Sequence, residues 1–364
     1  MTPRAVKVEA RAKLNLGLDV GPRRADGFHD LVTVFQSVSL ADTLTAVRSR
    51  KGWSLRVRHE HGEVRGRTPG EAARLVPAGG DNLVLRAARL IAGELGLEGG
   101  ARFTLVKRIP ARAGLGGGSA DAAATVAAML ALHGRKPSRE QLDRFALQLG
   151  SDVSFALRGG TALGMGRGDR LINLRLRAPF RAVIAVPDWR VSTRKAFQLH
   201  DRVRNGLTRW SDALRFARTV GRQRVEALAL IRRGNRFEAL LGRRRRDLDS
   251  LRARLRAAGL QEPRLTGSGS AVFAIVPFGA SVRGIVARFG GDEPLFAVRS
   301  AMETLVIVAV FAVMTILWCA AARWLVYHPT IGAPIRRYGH RLLPFILIGL
   351  GIFIIAEAGT FVGL

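Results

Sequence analysis

Pro110-Ala111-Arg112-Ala113-Gly114-Leu115-Gly116-Gly117-Gly118-Ser119-Ala120-Asp121-Ala122-Ala123 is the stretch on which the reading of this sequence turns. Before it stands Phe103-Thr104-Leu105-Val106, a strand stopped by Pro110. After it, an alanine-rich run from Ser119 to Leu132, followed by Gly134, reads as a helix with its C-terminal glycine. The order is therefore strand, glycine loop, helix. Such glycines let the backbone approach a polyphosphate closely, and the N–H groups and partial positive charge of the following helix face it. Ser119 either caps that helix or contacts a divalent cation. The loop is neither Gly-x-Gly-x-x-Gly nor a Walker A loop, because Gly-Lys-Ser/Thr is missing. Without a phosphate, the same residues read as a flexible glycine turn.

Outward from the loop, Val6-Lys7-Val8-Glu9-Ala10 alternates like a strand, and Leu31–Leu40 and Leu44–Val57 continue the β pattern. Residues 60–80 lack periodicity and read as an exposed basic loop. A helix is expected from Asn82 to near Gly96, and another from Ser138, where Gln141 completes a capping box, to Leu149. Further on, 181–187 and 272–276 read as strands, and 211–218, 223–232, 236–258 and 280–289 as helices. No internal repeat is present.

The chain has 364 residues, a length for two domains and an appendage. Its 58 Lys and Arg against 28 Asp and Glu give a formal charge of +30, and only six of the basic residues are lysine. Hydrophobic residues at 48% exclude a disordered or low-complexity chain. A single cysteine, Cys319, excludes an internal disulfide and a multi-cysteine metal centre, and suits a reducing compartment. The arginines are scattered, with one run at Arg243–Arg246, so the charge reads as a solvated basic surface and not as a specific nucleic-acid face. Met1–Val20 has no apolar core of a signal peptide, so the bulk of the chain is expected in the cytoplasm. After Glu303 the composition changes. Residues 304–322 carry no charge, and a second apolar run starts at Leu342 and reaches Leu364 with Glu357 its only charge. Nineteen to twenty apolar residues are long enough to span a bilayer, so a pair of transmembrane helices, tethering the chain to a membrane, is expected there.

Three other stretches carry chemistry: Ala12-Lys13-Leu14-Asn15-Leu16 with Asp26-Gly27-Phe28-His29; Gly150-Ser151-Asp152-Val153-Ser154-Phe155; and Thr266-Gly267-Ser268-Gly269. Singly each has a plain reading. Lys13 is a strand-edge charge, Asp152 an N-cap or turn residue, and Gly267–Gly269 a turn before a strand.

In this order the stretches resemble the GHMP kinases, and within them the 4-diphosphocytidyl-2-C-methyl-D-erythritol kinases. The signatures of that family are P-A-K-L-N-L, D-G-Y/F-H, G-L-G-G-G-S-S/A-D/N-A-A, G-A-D-V-P-F and S-G-T/S-G. Val191-Ser192-Thr193 with Phe197 is similar to its V-S-T-x-x-x-F. The resemblance covers about residues 5–300. Arg11 replaces the usual Pro, Ser151 and Ser154 replace Ala and Pro, and Phe28 keeps the aromatic face without a phenol hydroxyl. The apolar tail instead resembles the end of a cadmium-resistance-type transporter, through Phe311–Trp318 and Arg337–Gly351.

The resemblance implies phosphorylation of the 2-hydroxyl of 4-diphosphocytidyl-2-C-methyl-D-erythritol by ATP, in the non-mevalonate isoprenoid route. Lys13 and Asp152 would be catalytic, Asp152 taking the hydroxyl proton and Lys13 stabilising charge at the reacting oxygens. Pro110–Ala120 would hold ATP, and Ser119 would contact Mg2+. Phe28 and Phe197 would sandwich the cytosine, with Asn15, His29 and Thr193 also touching this small-molecule substrate. The implied fold is α+β in two lobes. Residues 1–165 would form a ribosomal-protein-S5-domain-2-like, ATP-binding lobe, residues 166–303 a ferredoxin-like lobe, and 304–364 the two-helix tail. A kinase of another small alcohol and, from the tail alone, a membrane metal transporter are the alternative functions.

Overall fold

The computed structural model describes residues 3–60, 76–77, 79–203, 207–220 and 224–301. Contacts divide the chain into Met1–Glu303 and Thr304–Leu364, and the first unit is described below. It is an α+β structure with two sheets.

Two long strands, β1 (Ala5–Arg23) and β2 (His29–Ser49), pair antiparallel from Ala5 opposite Val47 to Arg23 opposite His29. The alternation that announces β1 at Val6–Ala10 holds only there. From Ala12 to Leu18 every residue is buried, because this half of the strand is covered on both faces. Lys13, Asn15 and Gly17 interrupt the period, register shifts occur between Arg11 and Lys13 and between Asn15 and Gly17, and the strand runs on to Arg23. The single strand expected over Leu44–Val57 is two. A turn at Arg50–Gly52, with Gly52 at φ +74°, separates β2 from β3 (Trp53–His59).

β4 (Gly100–Lys107), β5 (Thr161–Gly166) and β6 (Arg170–Asn173) complete this sheet in the order β3-β4-β2-β5-β6, with β1 on β2. α1 (Leu83–Glu94), α2 (Gly117–His133), α3 (Arg139–Leu149) and α4 (Ser151–Arg158) belong to this lobe, where Val84, Ile91, Val126, Met129 and Phe145 pack with Leu44, Phe103 and Leu105. Both bonds of the Ser138–Gln141 capping box form at the start of α3. α2 is rich in alanine because small side chains let it lie close to β1 and α1: Ala120, Ala122, Ala124 and Ala128 are buried.

The second sheet has the order β10-β7-β9-β8, built from β7 (Arg181–Ala185), β8 (Gln261–Leu265), β9 (Val272–Ile275) and β10 (Leu295–Arg299), all antiparallel. Between β7 and β8 run α5 (Thr193–Arg202), α6 (Leu207–Val220), α7 (Ala227–Arg232) and α8 (Arg244–Ala257), and between β9 and β10 runs α9 (Val282–Arg288). This is a βαββαβ arrangement with extra helices in its first crossover. The one helix expected over 236–258 is a 3-10 turn, Arg236–Leu240, and then α8, parted at Gly242, which has φ +54°. Arg244 and Arg245 of the arginine run pair with Asp247 and Asp249 at 2.9 and 3.4 Å on the exposed side of α8.

Among the described residues no helix is long and apolar enough to cross a membrane. The transmembrane pair expected within 304–364, and residues 61–75 and 78 of the expected loop, lie outside the described residues.

Candidate active site

A cleft of about 800 Å³ gathers the four sequence stretches. Its floor is the inner half of β1 and β2, where Lys13, Asn15, Thr33 and Phe35 stand. One wall is the glycine loop and the start of α2, and beside it the first turn of α4 brings Ser151 and Asp152. The opposite side is the β1–β2 turn with Phe28 and His29, and α5 with Thr193, Phe197 and Asp201.

The glycine loop needs its glycines. Gly114 has φ +85°, and a Cβ there would stand 2.4 Å from the Thr266 carbonyl oxygen. Gly116 has φ +71°, and a Cβ there would meet Lys13 Cγ at 2.9 Å. α2 begins at Gly117, earlier than expected, with Gly116 as an N-cap that has no side-chain hydrogen bond. Ser119 is therefore not the cap; it sits within the first turn and lines the cleft. The first N–H groups of α2 carry no capping side chain, which suits an anion. Of the residues expected at ATP, Gly114, Gly116 and Ser119 line the cleft. Ala113, Leu115 and Ala120 are buried in the core instead. Pro110, Ala111 and Arg112 on the loop, and Gly117 and Gly118 in the first turn of α2, do not line the cleft.

Lys13 is 9% exposed in its side chain, and its Nζ stands 3.6 Å from Asp152 Oδ2, which is 37% exposed. The same Nζ donates to Asn15 Oδ1 at 2.6 Å. Asn15 is already committed. Its Oδ1 also accepts from the Gly267 N–H at 2.9 Å, and its Nδ2 donates to Thr33 Oγ1 at 2.8 Å. The Asn15 N–H donates to Thr266 Oγ1 at 3.0 Å. The side chain expected to touch substrate thus ties the 266–269 loop to β1 and aims Lys13. Thr193 Oγ1 lies 2.7 Å from Ser268 Oγ, joining α5 to the same loop.

The aromatic residues do not form two bare walls. Phe28 is 48% exposed at the rim, and the Arg167 guanidinium lies 3.8 Å from its ring centre. Phe197 is stacked on His29, with centroids 4.9 Å apart and planes 20° apart. Phe28 and the His29–Phe197 stack thus line the same cleft as separate aromatic surfaces.

Behind the loop, Lys107 is buried and donates to Asp42, and to Asp121 Oδ2 at 2.7 Å. Asp42 Oδ1 accepts from the Arg108 and Ile109 N–H groups at 2.5 and 2.8 Å, which fixes the strand entering the loop. Asp121 Oδ1 has no hydrogen-bond partner. Burial, with Asp42 adding to it, pushes the Asp121 carboxyl up to about 7 against the pull of Lys107.

Arg23, Arg167, Arg194, Gln198 and Asp201 also line the cleft and were not anticipated. For Asp201 a signal existed: Thr193, Phe197 and Asp201 are spaced by four, one face of a helix opened by the Ser192 cap. Arg167 follows Gly166 in a turn that no periodicity marks.

Residues 82–160 match the family model of the GHMP kinases N-terminal domain, and residues 275–364 that of the cadmium resistance transporter. The second match begins inside the first unit, at the last residue of β9, and so overlaps α9 and β10, the final strand of the second sheet. The 4-diphosphocytidyl-2-C-methyl-D-erythritol kinase of Moorella thermoacetica is 37% identical over 295 residues, 78% of this chain and 95% of that protein. That of Rhodococcus jostii is 45% identical over 204 residues, 56% of this chain, and the chain spans 62% of the length of that relative. A crystal structure of 4-(cytidine 5'-diphospho)-2C-methyl-D-erythritol kinase superposes with a TM-score of 0.60 at 32% identity, covering 81% of this chain and all of that one.

Proposed function

This chain belongs to the 4-diphosphocytidyl-2-C-methyl-D-erythritol kinases of the GHMP superfamily, and from that premise we propose that it transfers the γ-phosphoryl group of ATP to the 2-hydroxyl of 4-diphosphocytidyl-2-C-methyl-D-erythritol. The observation that carries the reading is the Lys13–Asp152 pair, 3.6 Å apart, in a cleft shared with the glycine loop. Asp152 accepts the proton of the attacking hydroxyl, and Lys13, held by Asn15, stabilises charge at the oxygens exchanging the phosphoryl group. Gly114, Gly116 and the start of α2 hold the triphosphate. The cytosine lies against Phe28 and the His29–Phe197 stack.

The cleft offers Ser119 and Asp152 to a divalent cation, oxygen donors of the kind Mg2+ takes. Among the described residues no cluster of three ligating side chains exists. The donor set fits a cation held mainly by nucleotide oxygens and water, with Ser119 as the protein contact. Bound there, Mg2+ would neutralise phosphate charge. In this reading the boundary expected at 165 moves to the end of β6, because β6 pairs with β5 in the first sheet: the N-terminal lobe is residues 1–173, the C-terminal lobe 174–303, and the kinase works in the cytoplasm. The segment 304–364 serves as a tether outside the reaction.

The test is ADP release by the purified chain with and without the cytidyl substrate. Asp152→Asn should lower turnover by about 10²–10⁴-fold while ATP still binds, and Lys13→Ala by a comparable factor. Near-normal turnover of Asp152→Asn would remove the assignment.

A further inference from the structure

His29 and Asp201 form a pair that the phosphoryl transfer does not use. His29 Nε2 stands 2.6 Å from Asp201 Oδ1. The imidazole side chain is 5% exposed and Asp201 35%. The ring is fixed on its other sides: stacked on Phe197 at 4.9 Å, and edge-on to His200 at 5.6 Å. A carboxylate only accepts hydrogen bonds, so at this distance Nε2 must carry the proton. In the neutral ring Nδ1 then holds a lone pair. Among the described residues Nδ1 has no hydrogen-bond partner, and it is not one of the buried unpartnered atoms. His29 lines the cleft, as do Phe28 and Phe197.

We propose that Asp201 is a specificity-determining positioning residue: by holding the His29 proton on Nε2 it makes Nδ1 an acceptor, and so selects a pyrimidine that presents an exocyclic amino group over one that presents a carbonyl. The inference rests on the reading above, in which the substrate carries a cytosine. It adds the device by which the base is told from uracil. Aromatic faces accept either pyrimidine, because every base has a π-face. A single acceptor pairs with the amino hydrogen of cytosine and repels the carbonyl oxygen of uracil. The opposite tautomer would reverse that preference. α5 supplies both halves of the recognition, with Phe197 stacking on the ring and Asp201, one turn later, orienting it.

The experiment compares CDP and UDP binding to the full chain by calorimetry, beside KM values for the cytidyl substrate and ATP. The intact chain should bind CDP roughly tenfold to a hundredfold more tightly than UDP, the scale of one buried polar group left mismatched. Asp201→Asn offers an amide that can donate to Nε2 and so favours the other tautomer. It should erase or invert the CDP preference and raise KM for the cytidyl substrate by about the same factor, with KM for ATP nearly unmoved. Asp201→Glu should restore part of the preference. Nitrogen-15 spectra of the His29 ring should show the Nε2–H tautomer in the intact chain and lose it in Asp201→Asn. Equal CDP and UDP affinity in the intact chain would overturn the proposal, as would a CDP preference that survives Asp201→Asn. CDP selectivity that follows Asp201, in a chain that does not release ADP, would keep this inference and refute the kinase reading.

Discussion

Replacing Asp121 by Asn should stabilise the protein above neutral pH and leave it nearly unchanged in mild acid. Burial raises the Asp121 carboxyl from 3.8 to about 7. At about 1.36 kcal/mol per pKa unit, the ionised form costs up to about 4 kcal/mol relative to the protonated one, with the unfolded chain as reference. The sign follows from proton counting. Between its unfolded and folded pKa values the native state holds the proton and the unfolded chain does not. The stabilisation is therefore full below the unfolded pKa and is lost as pH rises through about 7. Asparagine resembles the protonated acid at every pH. It keeps an oxygen for Lys107 Nζ, 2.7 Å away, and puts an amide nitrogen where Oδ1 already lacks a partner. Urea unfolding should find the variant about 1–4 kcal/mol more stable than the parent at about pH 8, and within about 1 kcal/mol at about pH 4, near the unfolded pKa. Lys107→Met is the contrast, because it leaves two buried carboxylates without their cation and should cost about 3–5 kcal/mol. Parallel pH profiles for parent and Asp121→Asn, or a loss at about pH 8 as large as that of Lys107→Met, would refute the reasoning.

Other outcomes follow from the cleft. Phe28→Ala and Phe197→Ala should each raise KM for the cytidyl substrate by an amount equivalent to about 1–3 kcal/mol and move KM for ATP less; steady-state kinetics with each substrate varied would show equal effects if the rings were only packing. Gly116→Ala places a Cβ 2.9 Å from Lys13 Cγ at a φ of +71°. It should cost about 1–3 kcal/mol in thermal or urea unfolding and lower turnover by about tenfold or more, and full activity would show that Lys13 tolerates displacement. Removing residues 304–364 should leave turnover unchanged when the shortened chain is assayed beside the full one in detergent. A folded but inactive product, rescued by restoring the tail, would make that segment part of the enzyme.

The sequence was most legible where chemistry dictates residue type at fixed spacing. The glycine loop, Lys13 and Asp152 lie far apart in the chain, and the cleft brings them together. The capping box at Ser138 was equally plain, because it is local. Less legible was whatever depends on a covered surface. β1 continues beyond Ala10 without a readable alternation because, from Ala12 to Leu18, every residue is buried. β5, Thr-Ala-Leu-Gly-Met-Gly, has little β character of its own and is a strand because β2 and β6 flank it. Asn15 shows the limit for sites. Its residue type and place suggest a hand on the substrate, yet its hydrogen bonds hold Lys13 and the 266–269 loop. Asp201 was missed because α5 has only three apolar residues, Ala196, Phe197 and Leu199, too short a pattern to announce a helix.

The β1–β2 ribbon has a consequence for how such a gene can change. Along β1, Ala10 packs in the core under α1 and α2, Ala12 to Leu16 in the middle core, and Leu18 and Val20 in the core of the second sheet. One strand is thus a shared beam, and recombination between the lobes would leave each half without a wall. The chain after β10 is different. Arg299, opposite Arg181, ends the last strand of the second sheet, and among the described residues the members of all three cores lie before it. A foreign segment spliced in beyond that point inherits an intact neighbour, so the junction after residue 303 is a place where evolution can add without having to rebuild.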